Sequence, residues 1–202
     1  MSEMVADTFS SADAPILAAQ LNPLYRYLRV QLAGHPPALL VLGYLDAHPQ
    51  GEIEVWYTTR QQVIKIQNGR IIATAGLPLD WRSVRFPAAP PAWSAVPPQG
   101  GVYARSRDEM PGHRYAISEQ LEVKPWAGVP PIALPPSLPP ETARGYQWFR
   151  EDVLSTTAEA LPPAWFAWGL HQGKPAVVYS EQCLSATFCL KLQQWPPQKS
   201  AL

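Results

Sequence analysis

Glu52 and Glu54 are the side chains of this chain most readily given a chemistry. Two residues apart in "EIEVWYT", they fall on one face of a β-strand. Two carboxyls on one face are the minimum equipment of a glycosidase, one serving as acid and the other as base or nucleophile. The plainer reading, an exposed polar face of an edge strand, is preferred, because paired carboxylates are common. Asp108/Glu109 and Glu151/Asp152 are further carboxylate pairs, adjacent in sequence. The four histidines, His35, His48, His113 and His171, stand beside Gly, Pro or Gln in expected turns, and none has metal-ligand spacing. No nucleophile elbow, phosphate-binding loop or dinucleotide glycine pattern occurs. No catalytic residue, metal or cofactor is therefore assigned, and the chain is read as a non-enzyme.

The eight tryptophans are the second resource. A flat indole flanked by Arg, Asp or Gln suits the C–H face of a sugar ring, although most Trp side chains fill cores. Trp56 is the leading exception, since its parity places it with Glu52 and Glu54 rather than with Ile53, Val55 and Tyr57. Together with Trp81, Arg70 and Asp80 it makes the candidate surface for a glycan or partner. Arg70 and Asp80 are also placed to pair across the end of a hairpin and hold its exit.

Cys183 and Cys189 lie in "CLSATFCLKLQQW", whose strict alternation reads as one half-buried strand. Six residues at about 3.3 Å each would separate their Cα atoms by roughly 20 Å, beyond the roughly 7 Å limit for a disulfide. Ser185-Ala186-Thr187 holds no Gly, Asn, Asp or Pro on which to turn. The unbridged strand is preferred, and a Cys183–Cys189 disulfide is the alternative.

The elements that position these groups are mostly strands. Leu24–Leu32, Ala38–Asp46, Glu52–Thr58, Arg60–Gln67 and Arg70–Ala75 read as an antiparallel meander, with "ALLVLGYL" as a central strand covered on both faces. The last two are joined by Asn68-Gly69, the strongest short hairpin signal, because a type I′ turn needs positive φ at both central residues. Ile64 and Ile66 are expected to face Ile72 across it. Proline-rich segments fill residues 86–140, interrupted by strands at Val102–Arg105 and Arg114–Lys124. This region is read as a connection packed on the sheet, because Ile132, Leu134 and Leu138 are too apolar for a free linker. "GYQWFREDV" reads as a strand or the start of a helix. "AWFAWGL", the turn "HQGK" and "PAVVYSEQCLSATFCLKL" form a closing hairpin.

The expected fold is thus mainly β: an antiparallel meander giving a twisted sheet, sandwich or barrel-like structure with little helix. Residues 1–13 read as a polar tether, Ala14–Leu21 as a short helix, 14–196 as one β-rich domain and 197–202 as a tail. Composition agrees, with 24 Pro and 8 Trp but only 16 % charged residues. Sixteen basic and 16 acidic side chains leave no clustered charge for nucleic acid. No run of about 18 apolar residues proposes a membrane-spanning helix. The start, "MSEMVADTFSSADAP", has neither the basic nor the apolar region of a signal peptide. Either a cytosolic protein or one whose export signal has been removed fits that start.

Several of these segments resemble the YjbF/GfcB family of group 4 capsule and exopolysaccharide lipoproteins. The likeness lies in "YLRVQLAGHPPALLVLGYLD", in Gly69-Arg70-Ile71-Ile72-Ala73-Thr74-Ala75-Gly76-Leu77 followed by Asp80 and Trp81, and in the closing hairpin with its Gln after a Ser. The resemblance implies a lipid-anchored protein of the bacterial outer membrane, facing the periplasm. It also implies an accessory role in making or exporting a surface polysaccharide, with that polysaccharide or other proteins of the export system as partners. The membrane would be met only through a lipid on residues preceding this sequence. The leading function is then binding of glycan or a partner protein. The alternatives are a hydrolase using Glu52 and Glu54, and a β-barrel carrier of an apolar ligand.

Overall fold

The computed structural model describes residues 21–197. Among these residues twelve antiparallel strands form one sheet that curls into a nearly closed barrel. They are β1 (Tyr27–Leu32), β2 (Ala38–Asp46), β3 (Ile53–Tyr57), β4 (Val63–Gln67), β5 (Arg70–Ala75), β6 (Asp80–Arg85), β7 (Gly101–Met110), β8 (Arg114–Trp126), β9 (Gln147–Thr156), β10 (Ala164–His171), β11 (Lys174–Cys183) and β12 (Cys189–Trp195). Consecutive strands pair along β1–β5 and along β6–β12, and β1 joins the two runs by pairing with β12. Among the described strands the gap in the ladder lies between β5 and β6, consecutive strands at the two ends of the sheet. Side chains bridge that seam. Thr74 Oγ1 donates to Asp80 Oδ1 at 2.9 Å and accepts from the Trp81 N–H at 3.0 Å.

The mainly β expectation is met, and two positive-φ turns show why the strands stop where they do. Asn68 (φ 49°) and Gly69 (φ 80°) join β4 to β5, and Gln172 (φ 51°) and Gly173 (φ 76°) join β10 to β11. Both have the conformation of a two-residue I′ connection. Other expectations need correction. Of the two readings of "GYQWFREDV" the strand holds, from Gln147 on, with Trp148 and Phe149 facing opposite ways into two packed layers. A sixth strand, β6, follows the expected five without pairing to β5, and β7 is more than twice as long as the piece expected from its sequence. The strand "ALLVLGYLD" is not covered along both faces, since only Leu40 is buried and Gly43–Asp46 are exposed. A bulge between Lys65 and Ile66 sets Ile66 opposite Ile71, so Ile71 rather than Ile72 joins Ile64 and Ile66 in the core. The helix expected at Ala14–Leu21 and the 1–13 tether fall, but for Leu21, outside the described residues, as do positions 198–202.

The barrel interior is filled, by two different kinds of material. Leu28, Val30 and Leu32 of β1 meet Leu40, Trp56, Ile64, Ile66, Ile71, Trp81, Leu190 and Leu192 in a dry apolar cluster. On the opposite wall Tyr103, Leu121, Val123, Phe149 and Phe166 pack around Trp93, which lies in a 3-10 turn (Trp93–Ala95) of the first proline-rich stretch. Outside this wall the second proline-rich stretch, with the one-turn helix α1 (Pro140–Ala143), lays Ile132, Leu134 and Leu138 over Trp148, Trp165 and Tyr179. An empty apolar interior of the kind a carrier needs is not seen among the described residues.

Between the apolar layers the inner faces of β7 and β8 carry charge. Arg105 Nε lies 2.6 Å from Glu119 Oε2, and Arg107 bonds the same carboxylate and also pairs with Glu109. The Trp81 ring lies within 5.0 Å of both guanidinium carbons. Burial pushes the Glu119 carboxyl up, but the charge of Arg105 and the bonds from Arg107 outweigh it and hold it below the usual range.

The two cysteines overturn the reading of one continuous strand. Cys183 and Cys189 are opposite each other in the β11–β12 register, Cα atoms 3.8 Å apart, and form a disulfide. The intervening 184–188 turn lacks turn-forming residues because it is shaped by burial. Leu184 is fully buried in the apolar cluster, and its carbonyl accepts from Trp81 Nε1 at 3.1 Å. A tertiary anchor replaces the local turn signal.

Candidate functional site

The Asn68-Gly69 turn does not protrude into solvent. It folds against the opposite wall so closely that a Cβ on Gly69 would lie 2.4 Å from Val177 Cγ2. Three elements grip it. Gln182 of β11 reaches across, its Oε1 accepting from the Ile71 N–H at 3.0 Å and its Nε2 donating to the Gly69 carbonyl at 2.9 Å. That amide also donates to Ser180 Oγ, so the Ser-x-Gln of one hairpin fixes the Gly-Arg-Ile of another. Trp93 Nε1 donates to the Asn68 carbonyl at 2.9 Å. From below, Gln50 and Gly51 of the β2–β3 connection accept bonds from Asn68 and Gln67.

Arg70, the next residue, is 3 % exposed. Its Nε donates to Glu151 Oε2 of β9 at 2.9 Å and to Tyr103 Oη of β7 at 3.0 Å. The guanidinium carbon lies 4.1 Å from the Trp93 ring centre. Burial opposes the charge on Arg70, but Glu151 and then Tyr103 more than offset it and hold the guanidinium above its ordinary pKa. Burial, reinforced by Glu151, pushes the Tyr103 phenol up as well, so it stays protonated and donates or accepts as needed. Removing either partner of such a buried pair costs about 3–5 kcal/mol, because it strands the other charge.

Against this packed junction lies an open cleft of about 560 Å³, a volume within the usual range of ligand sites. One side is Gln50, Glu52 and Glu54, and another is Asn68, Gly69 and Arg70. The proline-rich residues 89–94 with Trp93, then Trp168 and Pro175–Val177, and finally Gln194, complete it. Trp168 is half-buried and lines the cleft. Its orientation follows from a bulge: Ala167 pairs with Tyr179 and Trp168 with Val177, which leaves Val178 between them and turns Val177 inward.

Glu52 and Glu54 do share a face, as the strand spacing requires, but that face points into the barrel mouth. Glu54 is already engaged: Arg26 Nη2 lies 2.5 Å from Oε1, and Trp56 Nε1 lies 3.3 Å from Oε2. Glu52 is exposed and joins no ion pair among the described residues. The four residues chosen as an exposed surface are all inside the molecule. Trp56 is fully buried, Trp81 is 2 % exposed, Arg70 3 % and Asp80 9 %. Trp56 shares the face of the two glutamates, as its parity requires, but that face is the inner one. Further along that face, Trp56 meets the closed apolar end. Arg70 and Asp80 do not pair with each other. Asp80 accepts from Thr74 and from the N–H groups of Gly76 and Leu77, holding the turn at the seam, while Arg70 belongs to Glu151.

Trp168, Trp93, Gln50, Asn68 and Gln194 were not singled out from sequence as ligand-facing. A weak signal existed for Trp168, since Gly169 follows it in a strand, where an isolated Gly often marks irregular pairing. The others reach the cleft through long-range contacts that no local pattern encodes.

A solved hypothetical lipoprotein, YmcC from Escherichia coli K12, shares the fold with a TM-score of 0.61 at 17 % identity, over 98 % of this chain and 92 % of that one. No curated protein matches this chain significantly. A family model described as group 4 capsule polysaccharide lipoprotein GfcB, YjbF matches residues 5–127. That span contains the Gly69–Trp81 motif and continues through the first proline-rich stretch to β8, while the closing hairpin, which also carries the resemblance, lies outside it. The chain belongs to the YjbF family of group 4 capsule polysaccharide lipoproteins.

Proposed function

We propose that the protein serves capsule or exopolysaccharide production as an accessory protein that holds a segment of glycan in the cleft at the barrel mouth. The observation that carries this is the make-up of the cleft: a partly exposed Trp168 ring beside the amides of Gln50, Asn68 and Gln194 and the free carboxylate of Glu52. A stacked apolar face with acceptors and donors around it matches a pyranose, which offers C–H groups on its face and hydroxyls at its edge. Family membership supplies the polysaccharide context, and an outer-membrane position facing the periplasm, within an export system, completes the reading. Hydrolysis is less well supported, because a carboxyl pair must both reach the scissile bond and Glu54 is held by Arg26 and Trp56.

Calorimetric titration with oligosaccharides cut from the producing strain's own polysaccharide tests the reading. Saturable binding should fall about tenfold or more in Trp168→Ala, the scale of one lost stacking contact plus its buried area. Unchanged affinity in that variant, with the fold retained, would place the glycan elsewhere.

A further inference from the structure

We infer that the cleft is selective for a glycan bearing a free ammonium group, an amino sugar that is not N-acylated. This rests on the cleft being the glycan site. Three features of the lining lead to it. First, the lining residues include two carboxylates, Glu52 and Glu54, and one guanidinium, Arg70. Glu54 is neutralised by Arg26 and Arg70 by Glu151. The unbalanced charge left in the cleft is the Glu52 carboxylate. A uronate or phosphate brought beside it would meet like charge, whereas an ammonium gains a charge-assisted hydrogen bond.

Second, Arg70 stands at the cleft floor, 3 % exposed, and its Nη2 has no hydrogen-bond partner. A buried donor without an acceptor is costly, and an oxygen from a ligand would relieve it. The site thus asks for an acceptor oxygen toward Arg70 and a cation toward Glu52. Third, Trp168 lines the same space, partly exposed, beside the proline-rich wall and β11. Aromatic faces attract cations as well as C–H groups. A simple organic amine supplies the cation without the oxygen, and a neutral hexose supplies the oxygen without the cation. A 2-amino-2-deoxyhexose unit supplies both.

Binding of three tetrasaccharides in a mildly acidic, low-salt buffer decides the matter: the glucosamine tetramer, its fully N-acetylated form, and tetragalacturonate. The glucosamine tetramer should bind best, N-acetylation should weaken it about tenfold or more, and the uronate should not bind. Glu52→Gln should cut affinity for the glucosamine tetramer about tenfold and leave the N-acetylated form unaffected. The exposed Glu159→Gln, away from the cleft, controls for diffuse attraction. Equal binding of the amino and acetylated forms, or equal loss in Glu52→Gln and Glu159→Gln, would overturn the ammonium inference while leaving a cleft that binds glycan. If neither these oligomers nor the native polysaccharide fragments bind, the glycan reading and the inference fall together.

Discussion

Two hairpin turns in this barrel arrive at rigidity by opposite routes. The β4–β5 turn is written in its residues: Asn68 and Gly69 adopt positive φ, and any chain with that dipeptide between strands is inclined to turn there. The β11–β12 turn has no such residues. It is shaped by burial of Leu184, by the Trp81 bond to the Leu184 carbonyl and by the Cys183–Cys189 disulfide. Yet the turn with the stronger local signal is the one more deeply committed to the tertiary structure. Its glycine touches Val177, its carbonyls serve Gln182 and Trp93, and its next residue is the buried cation of the molecule's central ion pair. Gln182 links the two, one residue before Cys183. A local turn preference and a tertiary role are separate demands, and Asn68-Gly69 satisfies both.

The difference can be tested by substitution. The largest effect is expected from Gly69→Ala, where a Cβ must accept φ +80° and displace the Val177 side chain. Strain and overpacking together should destabilise by about 3–5 kcal/mol in urea unfolding. A loss below about 1 kcal/mol would mean that the turn can move off β11 without penalty. Next comes Gln182→Ala, which strands the Ile71 N–H and the Gly69 carbonyl at a loss of about 2–4 kcal/mol. The β11–β12 turn should be less sensitive. Cys183→Ser combined with Cys189→Ser releases a short loop and should lower stability by about 2 kcal/mol, with reduction by a thiol giving the same shift in the unchanged protein. If the double variant proves weaker than Gly69→Ala, the order of the comparison is reversed.

The smallest effect concerns a third turn, His171–Lys174 at the cleft side of β10. Burial, with the nearby charge of Arg26, holds the His171 imidazole below its ordinary pKa. The folded state therefore favours the neutral ring. Stability is complete above the unfolded value of about 6.5 and declines as pH falls through the lower folded value. His171→Gln should flatten that decline in pH-dependent thermal unfolding, and an unchanged slope would assign it to other groups.

Much of the fold was legible in the residues, because strand alternation and I′ turns are local. The seam between β5 and β6 was not legible as a seam, because Thr74 and Asp80 close it with side chains rather than with a ladder. The site was less legible than the fold. Glu52 and Glu54 were correctly placed on one face, but alternation says only that two faces exist. Trp56 shows the consequence: grouped with charged residues, it still occupies the dry core, since Glu52 and Glu54 lie at the open mouth and Trp56 one step deeper. Trp81 and Asp80 belong to the family motif and hold the barrel from within, while Arg70, paired with Glu151, lies at the floor of the cleft.

The sequence alone determined the antiparallel meander, the turn at Asn68-Gly69 and the family motif that follows it, because each is written within a dozen residues of chain. The tertiary structure decided which strand face became the interior, that Cys183 and Cys189 would meet, that Arg70 would find Glu151 rather than Asp80, and that Trp168 would line the cleft. Those outcomes depend on closure of a twelve-stranded sheet, which brings together residues as far apart as 70 and 151, and side-chain alternation along one strand carries no information about that meeting.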